Sequence, residues 1–315
     1  MRLIIFFFIL SVFALFCPKN CQAQSFSLSL SPPILEAMIQ PGKRIIYTFD
    51  LENHSPNSIN LIARIVPFEA QGTQGHIRLL DKAPPEFFSL LNANMSFGQS
   101  FFLDAGQKIQ LVVRVAIPQN QPEGDYYQTL LIEQSNPKIS LGNLSQSLGA
   151  VGTNILLTVS ESGQPLKSLE IDSFSIQDAY FGKLVDSFGV VNFSLSLKNT
   201  GQVFVKPEGS IFISPKGESK NIQEIKVRPD NILPGTARQL QCLEKPCFFK
   251  PPQLIGSYQA RFEFVLDGKK YQSAITFWVF PIKIVLGVII FLLSWLILLW
   301  RIKKRQSSSF SLPSS

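Results

Sequence analysis

Period-two alternation of apolar and polar residues dominates the middle of the chain. Phe26, Leu28 and Leu30 alternate with serines across Ser25–Ser31, and Ile45, Tyr47, Phe49 and Leu51 share one face of Lys43–Glu52. Ile109, Leu111, Val113, Val115 and Ile117 repeat the pattern over Lys108–Ile117, as do Phe193, Leu195 and Leu197 among Asn192, Ser194, Ser196 and Lys198. One apolar face per segment predicts antiparallel strands that bury one side of a sheet. Pro41-Gly42, Ala105-Gly106, Thr200-Gly201 and Pro234-Gly235 supply turns between them. The sharpest signal comes late. Tyr258, Ala260, Phe262, Phe264 and Leu266 form one face, Asp267-Gly268 follows, and Tyr271, Ser273, Ile275, Phe277 and Val279 resume the alternation. Asp-Gly between two such runs predicts a two-residue hairpin.

The pattern changes at both ends. Met1-Arg2 precedes an apolar run from Leu3 to Phe16, and a small residue, Ala23, stands before polar Gln24-Ser25. A charged start, a short apolar core and a small residue predict a secretory signal peptide over 1–23, cleaved between Ala23 and Gln24. The other reading of this run is an uncleaved anchor helix. Near the C-terminus, Ile284 to Trp300 is 17 residues without a charge. At 1.5 Å per residue it covers about 25 Å, so flanking residues must help it cross a core of about 30 Å. The predicted membrane helix is 282–302, with Trp278 and Trp300 at its interfaces and Lys283 at its edge. Arg301, Lys303, Lys304 and Arg305 follow at once and mark the cytoplasmic side, giving a tail over 303–315. The expected topology is single-pass type I, N-out and C-in, with the body extracellular or periplasmic.

Between these ends the body divides near Glu161-Ser162-Gly163-Gln164-Pro165. The fold class expected is all-β: two tandem immunoglobulin-like sandwiches, over 24–162 and 167–280, followed by one transmembrane helix. Pro67 to Gln99 has the least regular pattern, with His76–Leu80 as a short candidate strand.

Composition changes one part of this picture. The chain has 315 residues, 29 basic and 22 acidic, for a net charge of +7. Seven of the basic residues, Arg2, Lys19, Lys283, Arg301, Lys303, Lys304 and Arg305, lie in the leader, anchor and tail. The remaining 22 balance the 22 acidic residues of the body, so the excess sets membrane orientation and does not predict nucleic-acid binding.

Several short motifs carry a resemblance. In the first half these are Leu30-Ser31-Pro32-Pro33, Gln40-Pro41-Gly42, Leu51-Glu52-Asn53, Phe102-Leu103-Asp104-Ala105-Gly106, Val115-Ala116-Ile117-Pro118 and Pro122-Glu123-Gly124-Asp125-Tyr126-Tyr127. In the second they are Asn199-Thr200-Gly201, Asn231-Ile232-Leu233-Pro234-Gly235, Gly256-Ser257-Tyr258 and Phe277-Trp278-Val279-Phe280-Pro281. Their order resembles the bacterial DUF916 family, the WxL-interacting surface proteins, and more loosely is similar to periplasmic pilus-chaperone domains. The first resemblance implies an anchored envelope protein that binds a cell-wall polymer or a surface or membrane protein. The second implies donation of an edge strand to a client. No basic motif matching a chaperone carboxylate clamp accompanies it. As residues, the motifs read as turns and strand starts of a sandwich.

Catalytic chemistry is sparse. His54 and His76 are the only histidines, and neither lies near cysteines at metal-ligand spacing. No nucleophile-elbow, zinc-protease or phosphate-loop motif occurs. The expectation is a non-enzyme with no cofactor and no metal. Past the leader, the cysteines are Cys242 and Cys247, whose spacing in an exported body predicts a structural disulfide. Asn53, Asn94, Asn143 and Asn192 begin Asn-x-Ser sequons. The aromatic group Phe87, Phe88, Phe97, Phe101 and Phe102 reads first as core; the alternative is an exposed partner surface, which Phe87, Phe88 and Phe97 would mark. The leading functional expectation is an adhesin or scaffold displayed at the cell surface. The alternatives are an accessory, chaperone-like subunit of a membrane assembly and an envelope enzyme.

Overall fold

The computed structural model describes residues 27–135, 149–244 and 247–308, the last six by backbone alone. The expected leader with Ala23 and Gln24, the Asn143 sequon, residues 309–315 and the side chains of Lys303, Lys304 and Arg305 lie outside this description.

Among the described residues, nineteen named strands and one helix follow in order. The first sandwich contains β1 (Leu28–Ser31), β2 (Ile34–Ile39), β3 (Arg44–Asn53), β4 (Ile59–Gln71), β5 (His76–Leu79), β6 (Phe88–Leu90), β7 (Ser100–Leu103), β8 (Lys108–Ala116), β9 (Gly124–Gln134) and β10 (Ala150–Val159). The second contains β11 (Leu169–Gln177), β12 (Leu184–Asp186), β13 (Val191–Asn199), β14 (Glu208–Pro215), β15 (Gln223–Val227), β16 (Ala237–Gln239), β17 (Phe248–Phe249), β18 (Gly256–Leu266) and β19 (Lys269–Phe280). Helix α1 (Ile282–Ser308) starts two residues after β19 ends.

The two sandwiches share one topology. In the first, one sheet runs β2-β10-β9-β4-β5 and the other β1-β3-β8-β6. In the second, the corresponding orders are β12-β19-β18-β14-β15 and β11-β13-β16. Each opening strand is split between sheets. β1 pairs antiparallel with β3 and β2 pairs parallel with β10, just as β11 pairs with β13 and β12 with β19. In the first sandwich, Pro32-Pro33 marks the crossing, where a missing N–H ends the ladder.

Alternation decides which residues enter the core. Leu111, Val113 and Val115 of β8 are buried, as are Tyr258, Ala260, Phe262, Phe264 and Leu266 of β18. Separate apolar clusters fill the two sandwiches, with Phe49, Leu51, Leu103 and Leu130 in one and Leu197, Phe249, Phe262 and Phe277 in the other. At the β18–β19 hairpin both central residues have positive φ, 46° at Asp267 and 76° at Gly268, as an Asp-Gly turn requires. Pro67–Gln99 is more ordered than its pattern suggests: β4 runs on to Gln71, and β5 and β6 lie within the stretch.

The core reading describes most of the aromatic group there, although Phe102 is 75% exposed, and the alternative of a partner surface at Phe87, Phe88 and Phe97 is corrected. Phe87 and Phe88 are buried, and Phe97 is half-buried against the same core. Phe87 packs edge-on to Tyr126 at 5.7 Å, so these rings fill space inside the first sandwich.

Candidate functional site

Each sandwich has a corner built on a fully buried asparagine. Asn53 ends β3, and its Nδ2 donates to the carbonyls of Asn57 (2.9 Å), Leu103 (3.1 Å) and Asp104 (3.0 Å). Asn199 ends β13 and donates to Val203 and Ile232, both at 2.8 Å. The Oδ1 atoms accept the N–H groups of Ser55 and Gly201. The backbone repeats as well: Gly106 N–H reaches Asn53 O, and Gly235 N–H reaches Asn199 O, both at 2.9 Å. These glycines have φ of 70° and 72°, values that other residues adopt at a cost. The short motifs around Asn53 and Asn199 are therefore one corner made twice, and burial closes the Asn53 sequon to modification in the folded protein.

Superposing the two corners by these bonds puts Ser58 opposite Phe204 and Asp104 opposite Leu233. The pairings agree, since Ile59 faces Leu103 as Val205 faces Ile232. In the first sandwich the two positions are exposed, and Ser58 Oγ donates to Asp104 at 2.9 Å. In the second they are apolar. Leu233 is buried with Phe68 and Leu156 of the first sandwich, and Phe204 and Tyr127 pack on the cluster.

Polar contacts surround this apolar joint. Asp125, near the start of β9, accepts hydrogen bonds from the Tyr127 hydroxyl, the Thr158 hydroxyl and the Phe204 N–H across the junction. Burial, then the Asp125 carboxylate, pushes the Tyr127 phenol far above its ordinary range, so it stays a donor. Glu36 on β2 accepts from Asn231 Nδ2 at 2.6 Å and Lys206 Nζ at 3.0 Å. Burial alone would raise the Glu36 carboxyl, but the Asn231 amide and the Lys206 ammonium hold it below its ordinary value. The β4–β5 hairpin tip also reaches across, with Gln239 N–H donating to Thr73 O at 2.8 Å. At Gly75 on this tip, where φ is 83°, the Arg238 guanidinium lies where a Cβ would stand. Arg238 donates to Asn231 O at 2.9 Å and lies 3.6 Å from Asp230, which Arg228 holds through two bonds of 2.9 and 3.0 Å.

Glu36, Lys206, Asp230, Asn231 and Arg238 line a cleft of about 320 Å³ between the sandwiches. Its charges already face partners of opposite sign, so it is organised as a lock and as a polar recess. Among the described residues no cluster of three or more His, Cys, Asp or Glu is arranged to hold a metal. His76 lines the cleft, and His54 lies elsewhere, 2.9 Å from Ser29 Oγ. Glu36, Lys206 and Arg238 belong to none of the motifs read from the sequence, and Asn231 stands in one of them only as part of a turn. The available signal was the repeat itself: Leu-Glu-Asn against Leu-Lys-Asn, and Asp-Ala-Gly against Leu-Pro-Gly.

The remaining expected site residues lie in the second sandwich and the helix. Cys242 and Cys247 are joined by a disulfide, with Cα atoms 5.7 Å apart. Trp278 is exposed on β19, and Lys283 Nζ lies 3.3 Å from Asp186 Oδ2. Trp300 and Arg301 are exposed on α1. An 18-residue stretch within Ile282–Ile302 has a mean hydropathy of 2.8 and none of it is buried in protein, so by length and composition the helix is a candidate membrane span.

No protein-family model matches the chain, and no curated protein matches it. Among solved structures it is similar to the class 5 fimbriae chaperone CfaA, at 12% identity over 81% of this chain and 100% of that one, with a TM-score of 0.40. The E. coli chaperone DraB shares 14% identity over 80% and 97% of the two chains, with a TM-score of 0.36. A chain of the Salmonella enterica SafA pilin–SafB chaperone complex gives 14%, 81% and 97%, with a TM-score of 0.36. The DUF916 resemblance finds no match among the family models or the curated proteins.

Proposed function

We propose that this chain is a single-pass membrane protein that holds two locked immunoglobulin-like sandwiches outside the bilayer and presents the far end of the first to envelope material or a protein partner. The role is binding and display, with no catalysis. The observation that carries this reading is the junction, where an apolar pair, Phe204 and Leu233, replaces the polar pair Ser58 and Asp104 of the duplicated corner. The corner that meets the other sandwich is apolar, and the corner left open to water is polar. Direct passage of β19 into α1 supports the same reading, because it leaves almost no slack above the span.

A second reading, an accessory subunit of an envelope assembly, is favoured by one feature. β2 covers the outer edge of β10 only over Asn154–Val159. Along Ala150–Thr153 no strand pairs with that edge among the described residues, which is where an added strand would fit.

The test is capture by the full chain, purified in detergent, from cell-wall fragments and from solubilised membrane proteins of the same cells. Retention of wall material or a surface protein supports display. Retention only of integral membrane proteins, lost when Gly152→Pro blocks the β10 edge, would replace it with the second reading.

A further inference from the structure

The end of the second sandwich that meets α1 carries an apolar foot. β12 runs parallel to β19 with Asp186 opposite Phe280, so the residues after it emerge beside the helix start. β18 begins at Gly256 opposite Val279, so Leu254-Ile255 emerges at the same end from the other flank. The two loops are tied together, since Ser187 Oγ donates to Leu254 O at 2.6 Å and Ser187 N–H to Phe280 O at 3.1 Å. Phe188, Leu254 and Ile255 are nonetheless 54%, 57% and 61% exposed.

Duplication supplies the comparison. Val159 faces Gly124 as Val279 faces Gly256, which sets Pro122 and Glu123 opposite Leu254 and Ile255. Val159 faces Ile39 as Val279 faces Val185, which sets Gly42 opposite Phe188. The same three places thus hold small or polar residues in the sandwich far from α1 and large apolar ones in the sandwich beside it. At the same end, Lys216, Lys220 and Lys250 are exposed, with Glu218 and Asp178 as exposed acidic residues. The helix adds a reason of its own. Lys283 is drawn to the buried carboxylate of Asp186, so the uncharged stretch starts at Ile284 and covers about 25 Å, short of a core of about 30 Å. A short span thins the bilayer or draws its flanks inward.

We infer that the foot is a lipid-binding surface: Phe188, Leu254 and Ile255 enter the interfacial layer of the membrane that α1 crosses, and the lysines meet anionic headgroups. The second sandwich is then seated on the bilayer rather than tethered above it. This rests on the proposed membrane anchor, and the experiment separates the two claims.

The full chain carrying Cys17→Ser and Cys21→Ser is spin-labelled at Ile255→Cys, at Ser294→Cys within the span, or at Lys269→Cys on the far hairpin. Each is reconstituted in phosphatidylcholine–phosphatidylglycerol nanodiscs. Collision with oxygen relative to a water-soluble nickel chelate reports immersion. The expected result is a high ratio at 294, a ratio at 255 several-fold above that at 269, and a fall at 255 when phosphatidylglycerol is omitted. A water-like ratio at 255 with a high ratio at 294 overturns the foot and leaves the anchor standing. A water-like ratio at 294 overturns both. Protection of 255 from both relaxants marks a protein contact and overturns the lipid assignment.

Discussion

The two asparagine corners have the same hydrogen bonds and different neighbours. At Asn53 the positions beyond the corner are Ser58 and Asp104, bonded to each other and open to water. At Asn199 they are Phe204 and Leu233, enclosed by Phe68, Leu156 and Tyr127 of the preceding sandwich. The polar framework is a property of the fold, and the apolar pair is a property of the place. The same logic reappears at the opposite ends, where Gly42, Pro122 and Glu123 become Phe188, Leu254 and Ile255. A repeated domain therefore reports its surroundings through the positions at which it departs from its copy.

The framework should be the costliest thing to break. Asn53→Ala leaves three carbonyls without their side-chain donor, and one or more of them buried, which predicts a loss of about 3 kcal/mol from the first sandwich. Asn199→Ala removes two such bonds and should cost about 2 kcal/mol in the second. Denaturant unfolding followed by hydrogen exchange in each domain reads these separately. Equal and negligible effects would mean that the corners are incidental.

Next comes the apolar pair. Converting the second corner into the first, with Phe204→Ser and Leu233→Asp together, removes two partly or fully buried apolar side chains. It should weaken the joint by about 3 kcal/mol while both sandwiches stay folded. Limited proteolysis should then cut the connection over 160–167 faster. Unchanged cleavage would show that the surrounding polar bonds suffice alone. The disulfide should matter less. Cys242→Ser with Cys247→Ser opens a ring of about six residues, worth about 2 kcal/mol to the second sandwich in the chain-entropy account. Thermal unfolding of that domain checks it, with no change expected in the first.

The smallest effect is acid sensitivity of the joint. Glu36 is held below its ordinary value of 4.5 in the folded protein. Its contribution is fully present above the unfolded value and is lost as pH falls through the folded one. Acidification through the folded value, which lies below 4.5, should therefore loosen the junction, and Glu36→Gln should remove that component of the pH dependence. A junction equally loosened by acid in the Gln variant would assign the effect to other groups.

The late hairpin was fully legible, because Asp267-Gly268 requires positive φ and the strands beside it alternate without interruption. The run over Lys108–Ile117 was legible for the same reason. The split first strands were not, since Ser31-Pro32-Pro33 reads as an end, not as a passage between sheets. β14, β15 and β16 were passed over, and β5 and β6 were obscured because residues 67–99 mix short strands with turns. The junction was hidden for a different reason. Glu36, Thr73, Asp125, Lys206, Asn231 and Arg238 carry no mutual spacing, and only packing brings them together. What the residues did contain was the duplicated corner, visible as two short motifs but not recognisable as one device until the bonds were known.

The central claim is that the two sandwiches form one rigid unit because the second corner is apolar. Pulsed electron spin resonance between labels at Ile46→Cys and Glu170→Cys, in the full chain with Cys17→Ser and Cys21→Ser, tests it most directly. The account predicts one narrow distance distribution that broadens when Phe204→Ser and Leu233→Asp are added. A broad distribution before those changes, or a narrow one that survives them, would contradict it.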